Sequence, residues 1–191
     1  MGLASHAGHG THDSVSERPA TEHTSSPVSK NVSGDYLKSL HEKRTGSSVR
    51  VEKISAKSDL AKAFAIRIGV FVKEQGVPAE IELDRDDERA IHLLATSAGR
   101  PVGTARVVMH RRRAKIGRMA VLKRFRRKGV GTKLLTRAVA TARRLHAQAI
   151  YLHAQVPVIG FYETMGFRCV GRVFDEAGIP HRKMILGGKG K

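Results

Sequence analysis

The stretch Met119-Ala120-Val121-Leu122-Lys123-Arg124-Phe125-Arg126-Arg127-Lys128-Gly129-Val130-Gly131-Thr132 passes from a β-rich run, through a basic glycine turn, into a helical pattern. Strand, glycine turn and helix start read as an anion site or, more plainly, as a basic turn that caps the helix. The first amides of a helix lack intrahelical partners, and the macrodipole adds roughly half a positive charge there. Backbone N–H groups can therefore hold a phosphate, with glycines permitting positive φ and close approach. Arg126, Arg127 and Lys128 add side-chain cations, so pyrophosphate suits the turn. Two familiar phosphate loops do not fit. A Walker A loop needs Gly-Lys-Ser/Thr, whereas the order here is Gly131-Thr132-Lys133. A dinucleotide fingerprint needs a third glycine where Leu134 stands.

After the turn the apolar period becomes helical. Leu134, Leu135, Ala138, Ala142 and Leu145 share one face, with Lys133, Arg137, Arg143 and Arg144 elsewhere, which predicts the longest helix. Upstream, Val49, Val51 and Ile54 suggest a first strand, and Ser58-Asp59 an N-cap for a helix carrying Leu60, Phe64, Ile68 and Phe71. Residues 90–97 and 102–110 read as a hairpin around Ala98-Gly99-Arg100-Pro101, and 115–121 as the next strand. Downstream come a strand at 149–155, a short helix at 158–165 closed by Gly166, and strands at 169–174 and 182–186 around Gly178 and Pro180. The fold class is mixed α/β.

Residues 1–48 are rich in Ser and Thr and poor in large apolar side chains, so they cannot offset their ordering entropy and are expected to form a disordered polar tail. A short helix over 36–44 is the one element expected there. His6, His9 and His12 are spaced three apart but lack a fixed carboxylate or thiolate partner, so no metal site is expected. The tail's five bases balance its five acids. The net charge of +18, from 35 Lys+Arg against 17 Asp+Glu, thus belongs to the folded part, residues 49–191. The single Cys169 excludes an intramolecular disulfide framework. No apolar run approaches the roughly 20 residues of a spanning helix, and no secretory or transit pattern is present. The chain is expected to be cytoplasmic, with no membrane partner.

Two motifs carry a family resemblance. Arg126-Arg127-Lys128-Gly129-Val130-Gly131 matches the Arg/Gln-x-x-Gly-x-Gly/Ala coenzyme A loop of the GNAT (Gcn5-related N-acetyltransferase) superfamily, and Phe161-Tyr162-Glu163-Thr164-Met165-Gly166-Phe167 is similar to its second signature after the fifth strand. Within the superfamily, the runs 70–76, 91–94 and 178–184 resemble the ElaA/YjcF branch. The resemblance implies the GNAT fold, a mostly antiparallel central sheet with splayed fourth and fifth strands, 115–121 and 149–155, and flanking helices. It implies acetyl-CoA as cosubstrate. Backbone groups of Met119, Ala120 and Val121 would meet pantetheine, and Arg126, Arg127, Lys128, Gly129, Val130, Gly131 and Thr132 the pyrophosphate.

The implied reaction is direct acetyl transfer to a primary amine. Such transfer needs an unprotonated amine and a proton for the departing thiolate. By resemblance the proton donor is Tyr162. Many relatives place the base on a fourth-strand Glu, but 115–121 contains no acid, which leaves Glu74, His92, His153, Glu176 and His181. His181, in a turn-prone stretch, is the first choice. Glu74, His92 and Gln155 are expected to contact the acceptor, while His92 and His153 also read as ordinary sheet histidines.

Charge is divided along the chain. Residues 89–162 contain no acid, whereas Glu74, Glu80, Glu82, Asp84, Asp86, Asp87 and Glu88 crowd the segment before them. That acidic loop reads either as solvated or as a lure for a cationic amine. Two other functions stay open: a nucleic-acid-binding module and a non-catalytic acyl-CoA sensor. The partners expected are a small-molecule or peptide amine and nucleic acid held non-specifically by charge, with homodimerisation also compatible with the sequence.

Overall fold

The computed structural model describes residues 48–187. The polar tail, its histidines and the short helix expected over 36–44 lie outside the described residues. Strand β1 (Arg50–Lys53) leads to helix α1 (Lys57–Arg67), which widens into a π-helical turn over Ile68–Glu74. Ala56 occupies the N-cap position without a side-chain bond, so Ser58 falls inside the helix instead of capping it. Asp59 in that first turn still opposes the helix dipole favourably. The acidic segment holds two one-turn helices, α2 (Ala79–Glu82) and α3 (Asp86–Arg89). Then follow β2 (Ile91–Ser97), β3 (Arg100–His110), β4 (Arg113–Val121), α4 (Val130–Arg144), β5 (Ala149–Gln155), α5 (Ile159–Glu163), β6 (Phe167–Glu176) and β7 (Ile179–Leu186).

The seven strands form one sheet in the order β1-β2-β3-β4-β5-β7-β6, antiparallel everywhere except the parallel pair β4–β5. Alternation divides the side chains of each strand between two faces. Leu93 and Ala95 join the core beneath α4, whereas Leu94 packs with Ala63, Ile66 and Val70 of the α1 segment. Helix α4 seats Val130, Leu134, Leu135, Ala138 and Ala142 in the larger core. Each fully buried leucine there contributes about 2 kcal/mol. Leu145 caps the helix and is 39% exposed, so the predicted apolar face ends one turn early. A Cβ at Gly103 would come within 3.0 Å of both the Ala120 carbonyl oxygen and Leu134 Cδ1, and its absence lets α4 lie close on the sheet.

Two features of β4 position the site. Thr104 pairs with Ala120 but Arg106 pairs with Gly117, so β4 carries one extra residue there, with Arg118 at φ 50°. This is a β-bulge, which bends and twists its strand. On the other edge, β4 pairs with β5 only from Arg113↔Ala149 to Ile116↔Leu152. Beyond that pair the two strands part, as the sequence reading expects.

The acidic segment is a structural clasp, which corrects its reading as a solvated loop or amine lure. Arg67 bonds the Glu82 carboxylate at 2.5 Å and Asp87 at 2.7 Å, while Arg106 bonds both Asp84 and Asp87 at 2.7 Å. Arg118, on the bulge, reaches the carbonyls of Ile81 and Glu82 and the Asp84 carboxylate at 2.9 Å. Burial alone would raise the Asp87 carboxyl, but the Arg67 and Arg106 bonds outweigh it and hold its pKa at about 2. A depressed pKa stabilises the fold above the ordinary carboxylate range, and that contribution is lost as pH falls toward 2. Arg67→Met should therefore destabilise the protein by about 3 kcal/mol at neutral pH, because it leaves buried carboxylates uncompensated. It should also flatten the loss of stability between about pH 4 and 2. Denaturant melts of both proteins at neutral and acid pH check this.

Candidate active site

The parting of β4 and β5 opens a cavity of about 970 Å³. Its walls include the β4 edge from Lys115 to Val121, the turn residues Arg126, Arg127, Gly129, Gly131 and Thr132, and Tyr162 of α5. His153 and Gln155 of β5, Glu176 of β6 and His181 of β7 complete the opposite side. The structure thus brings together Met119, Ala120, Val121, the glycine turn, Gln155, Tyr162 and His181.

Other expected site residues stand elsewhere. Val130 is buried in the core under α4, and Lys128 sits with its ammonium 5.8 Å from the Phe125 ring centroid. His92 does not line the cavity, contrary to its expected acceptor contact. Its Nε2 lies 2.9 Å from the Asp87 carbonyl oxygen and its ring meets Phe64 edge-on, so it packs the acidic clasp against β2. Glu74 also stays outside, at the rim, where both its oxygens accept from Arg126 at 2.5 and 2.7 Å. That bond, more than burial, lowers the Glu74 carboxyl and raises the Arg126 guanidinium. Arg126 further donates Nε to the Val121 carbonyl, so it braces the turn, and Arg127 lines the cavity.

The turn alternates handedness. Arg127 has φ 61° and Gly129 φ 74°, a conformation that curls successive amides into a concave, anion-binding surface. Lys133 is the first α4 residue to donate within the helix, to Gly129 at 3.0 Å, and the amides ahead of it lack intrahelical partners. Gly131 faces the cavity, where a Cβ would touch the Phe161 ring at 3.4 Å.

Tyr162 is buried between Phe161 and Phe167, with its hydroxyl 3.9 Å from Met119 Sδ. A thioether is a weak acceptor, so this O–H is poorly satisfied for a buried group. Burial pushes its pKa up to about 12 and keeps the phenol protonated. Two imidazoles, of His153 and His181, line the same cavity. His181 donates Nδ1–H to the Ile179 carbonyl at 2.7 Å, and His153 Nδ1 stands 2.8 Å from Glu176 Oε2. The His153 hydrogen bond, outweighing burial, holds the Glu176 carboxyl at about 2. In each ring Nδ1 is the engaged nitrogen.

Sequence reasoning missed the bulge at Gly117-Arg118 and the amide pair Gln75–Gln155, which joins the π-helical turn to the end of β5 at 2.9 Å. A glycine inside a strand pattern was the available signal for the bulge.

Comparison with known proteins decides the family. The acetyltransferase (GNAT) domain profile matches residues 56–187. The chain belongs to the GNAT acetyltransferase family. It is 37% identical over 127 residues to the uncharacterized N-acetyltransferase YjcF of Bacillus subtilis strain 168, covering 66% of this chain and 91% of that one. The crystal structure of Escherichia coli ElaA superposes with a TM-score of 0.66 at 27% identity, over 73% of this chain and all of that one. An acyl-CoA N-acyltransferase from Pseudomonas aeruginosa gives 0.64 at 29% identity, over 73% and 99%. The chain is thus an acyltransferase of the ElaA/YjcF-like branch. Among the described residues no helix is long and apolar enough to cross a membrane.

The buried phenol has a direct optical consequence. In an ultraviolet titration, the phenolate absorbance that distinguishes wild type from Tyr162→Phe should emerge only near pH 12 or on unfolding. Its appearance near pH 10, with the fold intact, would place Tyr162 in contact with water.

Proposed function

We propose that this protein transfers an acetyl group from acetyl-CoA to a primary amine by direct transfer. The observation that carries the reading is that one cavity holds an anion-binding turn, an unpaired strand edge and a buried protonated phenol. The chain's own groups fit the cosubstrate. The turn amides at 127–132 and the Arg127 guanidinium suit a pyrophosphate, and the β4 edge past Ile116 offers backbone donors and acceptors to the amides of pantetheine. Acetyl-CoA supplies an activated acetyl thioester.

The remaining chemistry belongs to the protein. Tyr162 holds a proton for the departing sulfur. The site must also take a proton from the amine, because an alkylammonium with a pKa of roughly 10 has no lone pair to attack with. Two imidazoles that line the cavity, those of His153 and His181, support this reading as candidates for that step. The apolar side chains of Val70, Phe71 and Ile179 line part of the cavity wall.

Purified protein, acetyl-CoA and a panel of spermidine, glucosamine, kanamycin and a dipeptide amide should release free thiol with at least one amine. Tyr162→Phe should lower kcat by roughly 10²-fold or more while leaving coenzyme affinity near wild type. Tight acetyl-CoA binding without thiol release would favour an acyl-CoA sensor instead.

A further inference from the structure

We propose that His153, held by Glu176, is the base that deprotonates the attacking amine, with Glu176 as its positioning residue. The assignment rests on the acetyl-transfer reading and settles which of the two imidazoles acts in it.

Strand alternation places the pair. Leu152 and Ala154 of β5 enter the core under α4, so Tyr151, His153 and Gln155 project from the opposite face, and of these His153 and Gln155 line the cavity. Register adds their neighbours: Lys115 beside Tyr151, Lys183 beside His153, and His181 beside Gln155. Glu176 comes from β6, which is not adjacent to β5, and reaches over β7 to His153 Nδ1. The charged and titratable groups that face His153 are therefore Glu176, Lys115, Lys183, His181 and Tyr151, and Glu176 is the acid among them. Its bond to His153 in turn holds the Glu176 carboxyl at about 2, with burial opposing it.

A base becomes a cation when it works, so the better base is the one with an anion against its far nitrogen. His153 has that anion. His181 has a neutral carbonyl at the same position and a ring stacked on Phe174. The carboxylate also fixes the tautomer, since Nδ1–H must point at Glu176 and the Nε2 lone pair is left for the amine. Phe174 meets the His153 ring edge-on at 4.9 Å and limits its rotation.

The step balances. The ammonium gives one proton to His153 Nε2, the nitrogen lone pair so freed bonds the acetyl carbonyl carbon, and the second proton of that nitrogen passes to solvent. The carbon–sulfur bond then breaks, its electron pair leaves with sulfur, and sulfur takes the Tyr162 proton. His153 is partly exposed, at 24% of its side chain, and returns its proton to solvent, from which Tyr162 is restored.

The test measures kcat/KM against pH, using acetyl-CoA and the fastest amine among spermidine, glucosamine, kanamycin and a dipeptide amide, with melting temperatures as the fold control. His153→Ala should lose roughly 10²-fold or more at neutral pH, as expected for removal of a general base, and added imidazole should restore part of the rate. Glu176→Gln should lose less and move the acid limb to lower pH, since the imidazolium no longer faces an anion. His181→Asn should keep the acid limb at its wild-type position, whatever its effect on KM. Should His153→Ala melt early, the limb shift in Glu176→Gln decides alone. Thiol release by wild type with an unmoved limb in Glu176→Gln, or loss of the limb in His181→Asn, overturns the assignment. A wild type that releases no thiol with any amine rejects the transfer reading itself, and the assignment with it.

Discussion

Everything at the site depends on β4 leaving β5 after Ile116 and Leu152. A sheet edge inside a protein normally costs free energy, because unpaired backbone groups are expensive to bury. Here the edge faces a cavity, and the bulge at Gly117-Arg118 turns it there. One extra residue does two things: it twists the end of β4 away from its parallel neighbour, and it carries Met119 to the Tyr162 hydroxyl. The glycine turn then begins where β4 ends, so the strand edge and the anion site form one continuous wall.

The bulge is held from outside the sheet. Arg118 has a positive φ, unusual for a residue with a Cβ, and such a conformation persists when its surroundings over-determine it. Its guanidinium is bound by two carbonyls and a carboxylate of the acidic segment. Arg67 and Arg106 fasten that same segment to α1 and β3. The acids thus serve geometry first. A rim contact complements them, as Glu74 at the end of the π-helical turn fastens Arg126 and so links the α1 segment to the glycine turn. The whole α1-to-β2 connection frames the cavity without offering a free carboxylate to it.

What was legible in the sequence was local. The glycine turn, the long apolar face of α4 and the Phe161-to-Phe167 motif each declare themselves within a few residues, and the structure places Tyr162 and His181 in the cavity with them. Strand pairing is not local. That Glu176 bonds His153 depends on β7 lying between β5 and β6, and no periodicity reveals strand order. His92 and His153 show the same alternation with apolar neighbours, yet one is locked under the clasp and the other lines the cavity. The acidic run looked like a solvated loop because its counter-ions, Arg67, Arg106 and Arg118, come from three separate elements.

Amide hydrogen exchange with and without acetyl-CoA tests most directly whether the parted strand edge and the glycine turn together form the acyl-CoA site. The expected result is slowed exchange at the amides of 119–121 and 127–132 on addition of acetyl-CoA, with the β3–β4 turn at 111–112 unchanged. Saturable acetyl-CoA binding that leaves both stretches exchanging as in the free protein would contradict it.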